Sequence, residues 1–222
     1  MFWILWLAGS LINLLIVSSP LWFVAGGTAL FLDARFLSIL ATLTLWIGCD
    51  HSIPPKPIAH YREIRVHHQG TFWFPQVCGA LVLMNIWVGV WDRALHLTGP
   101  TGAMPIGVGV LLAIFGLWLR FSAIRSLGRF FTDQLKVLTF QPLVVTGPYR
   151  RIRHPSYSAI VVILFGIDIT LASIWGVIYT LTVIVPMVLL RVAFEERMLV
   201  EGFGAAYSEY QTHTRQLIPF VY

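Results

Sequence analysis

Five side chains able to do chemistry stand in two short passages of this sequence. The first, GPYRRIRHPSYSA at 147–159, sets Tyr149, His154 and Tyr157 among arginines; the second, LLRVAFEERMLVEGFG, carries Arg191 and Glu195. In His154-Pro155 the proline pre-sets the first turn of a helix, which puts His154 beside its N-cap and Tyr157 in its first turn. Backbone N–H groups at such an end are unpaired and carry partial positive charge, a natural place for a carboxylate or phosphate. Arg191 and Glu195 are four residues apart and share a helix face, whereas Glu196 points roughly 100° away. An ordinary salt bridge on a helix surface has the same spacing. What separates the two readings is whether the passages meet, and that depends on the elements between them.

Those elements are apolar. The runs 157–171 and 174–190 are separated only by Ala172 and Ser173, which predicts an antiparallel helical hairpin whose outer ends, and with them His154, Tyr157, Arg191 and Glu195, share one membrane face. Four more candidate segments precede it: 2–17, a stretch within 21–49 interrupted by Asp33 and Arg35, 72–91 and 106–119. Asp33 and Arg35 mark either a turn between two short helices or a polar step inside one tilted helix. Only 11% of residues are charged and 57% are hydrophobic, whereas about a quarter of a soluble domain is charged. The chain therefore reads as an all-α, polytopic membrane protein with about five to six transmembrane helices. Its opening stretch lacks a positive n-region and a small-residue cleavage site and is expected to be a retained span. Cys49 and Cys78 lie in apolar runs and read as packing residues.

Charge orients the arrangement. Lys56, Arg62 and Arg65, the group from Arg120 through Arg153, and Arg191, Arg197 and Arg215 all fall on one side. Loops rich in Lys and Arg stay cytoplasmic, so the pocket-forming ends and both termini are expected there. The net charge of +5 is then topological, with anionic headgroups as a second attraction, and no nucleic-acid partner is expected. Arg150, Arg151 and Arg153 read as topology and headgroup contacts. His51, His60, His67 and His68 beside Asp50 raise the possibility of a membrane di-iron oxidase, but their spacing does not repeat short histidine boxes and no second cluster follows. No metal is expected there; a polar cytoplasmic loop is.

The stretch between the fourth and fifth segments alternates apolar clusters with charge, so it should pack rather than dangle. Val144-Val145-Thr146-Gly147-Pro148 reads as a short extended piece ending in a turn. The sequence LVVTGPYRRIRHPSY, the hairpin, and RVAFEERMLVEGFGAAYSEYQTHTRQLIP together resemble the C-terminal half of the isoprenylcysteine carboxyl methyltransferase family, membrane enzymes that use S-adenosylmethionine. The related phospholipid N-methyltransferases share a looser version. The likeness covers 127–219 and rests on Gly-Pro-Tyr, Arg-His-Pro-x-Tyr, Arg-x-x-x-Glu-Glu, Phe-Gly-x-x-Tyr-x-x-Tyr and Ile-Pro in that order.

The resemblance implies N-terminal transmembrane helices over 1–119 and a catalytic half over 120–222. It implies a cofactor pocket made by Gln134, by Gln141, Pro142, Leu143 and Val144 largely through backbone, by Tyr149, by His154, Pro155, Ser156 and Tyr157, and by Glu195. Arg191 is implied at the acceptor, and Arg191 with Glu195 as the catalytic pair. Gln141 stands where the human-type enzyme has histidine. Ala159 stands where the family usually has glycine, a swap that bears on helix packing or on the acceptor path. Tyr207 and Tyr210 would fold the tail back over the pocket.

The chemistry suits those roles. Glu195 can accept from an amino or ribose group, and Tyr149 and Tyr157 can face an adenine or a sulfonium. A carboxylate acceptor needs alignment and electrostatics more than a base, while an amine or thiol would call on a base such as His154. The function implied is S-adenosylmethionine-dependent methyl transfer to a lipid-like or isoprenylated acceptor that enters laterally from the lipid bilayer, with carboxylate O-methylation favoured. Amine N-methylation, thiol S-methylation and a non-enzymatic membrane scaffold with a vestigial pocket are the alternatives.

Overall fold

The computed structural model describes residues 33–51, 64–67, 74–95, 102–131, 136–138 and 141–218. The expected span at 2–17, Gln134, His60, His68 and His96 lie outside them. Among the described residues the order is α1 (Ala34–His51), β1 (Ile64–His67), α2 (Phe74–Ala94), α3 (Ala103–Leu127), β2 (Lys136–Leu138), α4 (Pro155–Leu171), α5 (Ile174–Phe203) and α6 (Ala205–His213). The expectation of an all-helical chain holds apart from β1 and β2, which pair antiparallel with Val66 opposite Val137. Residues 76–94, α3 with the turn after it, and α5 are each long and apolar enough to cross a bilayer, and α4 is a shorter apolar helix. Leu111, Trp118, Leu181 and Leu190 point outward and are exposed, as a surface solvated by lipid requires. This is an integral membrane protein.

The interruption near residue 33 is a helix start. Asp33 Oδ1 accepts from the Arg35 N–H at 2.8 Å, which is how an aspartate caps an N-terminus. Phe36, Ile39 and Leu43 follow on one buried face of α1, and Arg35 Nη2 donates to the Gly102 carbonyl at 3.2 Å, tying α1 to the start of α3. Helix α3 outruns the expected 106–119 at both ends, so Arg120 lies within a helix rather than in the loop that follows.

The closest packing in the molecule joins α3 to α4. A Cβ added at Gly109 would stand 2.5 Å from the Gly166 carbonyl oxygen, and one added at Gly166 would stand 2.7 Å from the Ala113 nitrogen. Small residues let backbones approach this closely, and in lipid such contact replaces the hydrophobic drive that water would supply. Around the seam Ile86, Val90, Ile163, Leu164, Ile167, Ile184, Val188 and Val192 form one core.

The predicted hairpin is present. Ala172 adopts a left-handed conformation with φ 55°, the Ser173 N–H donates to the Asp168 carbonyl at 2.9 Å, and Ser173 Oγ accepts from the Gly176 N–H at 2.9 Å. Two residues thus end one helix and cap the next. Within α5 the residues Thr180–Ile184 form a π-helical turn. Its cause lies two residues on, where Pro186 has no N–H to give Thr182 and the ladder shifts by one residue. That extra residue turns everything downstream, Arg191 and Glu195 included, by about 100°.

Candidate active site

Two cavities meet at the end of the hairpin remote from its turn. The first, of about 110 Å³, is walled by the extended run of Gln141, Pro142, Leu143 and Val144, by Tyr149, His154, Ser156 and Tyr157, by Phe130 and Phe131, by Glu195 and Met198 on α5, and by Tyr207 and Tyr210 on α6. The second, of about 310 Å³, is lined by Trp46 and Asp50 on α1, Cys78 and Val82 on α2, Arg120 on α3, Ile160 on α4, and Met187, Val188 and Arg191 on α5. The second has the size of a small-molecule site, and the first is smaller. Phe131, Ser156 and Tyr157 line both and form the partition between them.

The chain path that makes the first cavity follows from its sequence. Gly147 has φ +61°, a conformation that costs other residues, and a Cβ there would stand 2.5 Å from Ser126 Oγ, so only glycine makes this turn without strain. A short 3₁₀ turn over Gly147–Arg150 delivers Tyr149 to the interior. His154 then caps α4 and Pro155, buried, occupies its first turn. At the far wall Gly204, with φ 59°, reverses the chain from α5 into α6. The tail is laced to the loop: the Arg153 N–H donates to the Arg215 carbonyl at 2.8 Å and the His154 N–H to the Gln216 carbonyl at 3.0 Å. Tyr210 OH donates to the Tyr149 carbonyl. Burial pushes the phenols of Tyr149, Tyr207 and Tyr210 upward from their ordinary range, so they remain protonated donors.

The two sequence passages do converge. Arg191 Nε donates to Tyr157 OH at 3.0 Å, and Tyr157 OH donates to Glu195 Oε2 at 2.7 Å. Arg191 faces the second cavity, Glu195 the first, and Tyr157 both. A salt bridge on an open helix surface is therefore the wrong description, since Arg191 is buried and its reach to Glu195 runs through a phenol.

Sequence reasoning missed Glu196. Set aside as pointing away from the Arg191 face, it is buried. Its Oε1 accepts from Arg153 Nε at 2.8 Å and from Tyr207 OH at 2.9 Å, and lies 2.7 Å from His154 Nε2; Oε2 accepts from Gln211 Nε2. Arg153 is accordingly not a headgroup contact: its side chain, 9% exposed, is held in an ion pair, with Nη1 on the Thr214 carbonyl at 2.6 Å. A carboxylate only accepts, so His154 gives its Nε2 hydrogen to Glu196 and has no free Nε2 to act as a base. The signal available in the sequence was the adjacent Arg153-His154 and the doubled glutamate at 195–196, but nothing in helical spacing links them. Ala159 is likewise clarified. It is fully buried, and its carbonyl oxygen lies 3.1 Å from where a Gly116 Cβ would be, so it belongs to the α3–α4 seam and lines neither cavity.

Residues 105–206 match the model of the family described as phospholipid methyltransferase. That match spans just under half of the chain. Among curated relatives, the protein-S-isoprenylcysteine O-methyltransferase B of Arabidopsis thaliana is 33% identical over 115 residues, covering 51% of this chain and 58% of its own. The enzyme of that name from Saccharomyces cerevisiae is 31% identical over 116 residues, 51% of this chain and 48% of its own. The chain thus spans about half the length of the curated relatives it matches. A solved structure, that of a eukaryotic intramembrane Ras methyltransferase, an isoprenylcysteine carboxyl methyltransferase, superposes with a TM-score of 0.54 at 22% identity. It covers 86% of this chain and 70% of its own, and the likeness is one of fold. The resemblance drawn from the motifs at 127–219 is thereby upheld, including its tie to the phospholipid methyltransferases.

Proposed function

We propose that this protein is an S-adenosylmethionine-dependent methyltransferase that methylates the carboxylate of an isoprenylated, membrane-borne acceptor. One observation carries the reading: a cavity of mixed polarity and a more apolar one meet at Tyr157, whose hydroxyl joins Arg191 on one side to Glu195 on the other. The first cavity suits the donor. It offers a carboxylate in Glu195 for an amino or hydroxyl group, an extended backbone run, and aromatic walls for a purine and a sulfonium. Glu195, Tyr149 and the backbone of 141–144 would hold S-adenosylmethionine, which when bound would supply an electrophilic methyl carbon on a positively charged sulfur.

The protein's own residues do the rest. Trp46, Val82, Ile160, Met187 and Val188 take an isoprenyl chain out of the bilayer, and Arg191 beside them holds an acceptor carboxylate. Tyr157 stays protonated between a guanidinium and a carboxylate, so it fixes Arg191 and Glu195 with respect to each other. Alignment of two reactants across the partition then supplies most of the acceleration. The division into spans over 1–119 and a catalytic half over 120–222, and a cytoplasmic setting for the cavities, are part of the same proposal; the arginines around 120–153 favour that orientation.

Purified protein in lipid nanodiscs, given labelled donor and an N-acylated S-isoprenyl cysteine, is expected to yield base-labile methyl ester. Arg191→Ala should cut transfer by about 10²-fold or more with donor affinity retained, and Glu195→Ala should lose donor binding. Donor binding that is absent, or unchanged in Glu195→Ala, would leave a membrane scaffold as the better reading.

A further inference from the structure

Tyr157 is one of three residues in the partition, and the other two are held by a side chain outside its chain of contacts. Arg120 is buried within α3, where a guanidinium needs partners inside the protein. Its Nε and Nη2 donate to the two oxygens of Asp50 at 2.8 and 3.0 Å, the planar two-point grip that arginine makes and lysine cannot. Its Nη1 donates to the hydroxyl and the carbonyl of Ser156, and its guanidinium carbon lies 5.5 Å from the centre of the Phe131 ring. Arg120 therefore touches Phe131 and Ser156 and, through Ser156, sets the start of the turn that carries Tyr157.

Asp50 makes that grip fixed rather than mobile. It sits in the last turn of α1, where the helix's own carbonyls disfavour a carboxylate, and Arg120 offsets the repulsion. Each charge keeps the other in place. Asp50 also lies outside the region matched by the family, whereas Arg120 lies inside it, so the pair joins the N-terminal part of the chain to the reaction centre.

We infer that the Asp50–Arg120 ion pair is a positioning device for transfer: it fixes the opening between the two cavities by holding Ser156 and Phe131. The inference rests on the methyl-transfer reading above. A pair that positions the partition acts on the turnover step beyond any effect on binding in the cavity it lines.

The test uses the full chain in nanodiscs, with donor affinity by calorimetry, kcat and KM toward an N-acylated S-isoprenyl cysteine, and the thermal unfolding midpoint. Asp50→Asn is expected to lower kcat about tenfold or more while donor Kd stays within about threefold. Asp50→Glu, which keeps a carboxylate, recovers most of that loss; Arg120→Lys, which keeps the charge without the fork, does not. An unchanged kcat in Asp50→Asn overturns the inference. So does a joint fall of kcat, donor affinity and unfolding midpoint in Asp50→Asn and Arg120→Lys alike, which marks a merely structural pair. Wild-type protein that binds donor and methylates no isoprenylated carboxylate overturns the functional reading and the pair's role with it, whereas an active wild type matched by Asp50→Asn overturns the pair alone.

Discussion

At the scale of residues, two adjacent glutamates do opposite work. Glu195 opens into a cavity, while Glu196 is closed in by Arg153, His154, Tyr207 and Gln211. Removing Glu196 leaves a buried guanidinium without its counter-charge, a change that costs about 3–5 kcal/mol. Glu196→Ala should therefore lower the unfolding midpoint in detergent by on the order of 10 °C, while Glu195→Gln should leave it nearly unmoved and abolish donor binding instead. Differential scanning with and without donor separates the two. Tyr157→Phe removes one oxygen from the partition and keeps the ring. Single-turnover label transfer should fall about 10²-fold with donor affinity held within a few-fold. The types and spacing of Arg191, Glu195 and Tyr157 were readable in the sequence. The role of Glu196 was not, because a helical wheel gives the direction of a side chain and not what another segment brings to it.

At the scale of elements, the site depends on two features of backbone geometry. The first is the α3–α4 seam, where Gly109, Ala113 and Gly116 meet Ala159 and Gly166. Gly166→Leu forces the helices apart and should abolish both folding and donor binding, seen as loss of a monodisperse peak on size exclusion and of calorimetric heat. Gly116→Ala would meet Ile163 Cγ1 at 2.6 Å, the Ile163 nitrogen at 3.0 Å and the Ala159 carbonyl oxygen at 3.1 Å, so it strains the same seam. The second is the turn at Gly147. Gly147→Ala strains a positive φ by about 1–2 kcal/mol and meets Ser126; pairing it with Ser126→Gly should recover part of the lost donor affinity. The hairpin was legible because two long apolar runs, the first broken only by polar residues such as Asp168, with a two-residue gap admit no other short connection. The π-helical turn before Pro186 was not, since proline there is equally compatible with a kink.

At the scale of the whole molecule, the cavities sit between parts of the chain that are far apart in sequence: α1, α2 and α3 on one side, the hairpin and α6 on the other. Orientation belongs to this scale. With Cys49 and Cys78 replaced by serine, a cysteine at the exposed Arg151 should react with a membrane-impermeant maleimide from the cytoplasmic side alone, and reaction from the opposite side would reverse the proposed topology. The sequence by itself determined that the protein lives in a membrane, that a tight hairpin ends near His154 and Glu195, and which residues near those ends have the chemistry of a donor pocket. Those properties are local: hydropathy, proline and helical spacing act over a few residues. Only the tertiary structure decided that Glu196 closes the tail, that Ala159 belongs to a seam, and that Asp50 reaches Arg120 across 70 residues of chain. Each of these is a contact between segments, and its energy depends on how the helices are arranged in space.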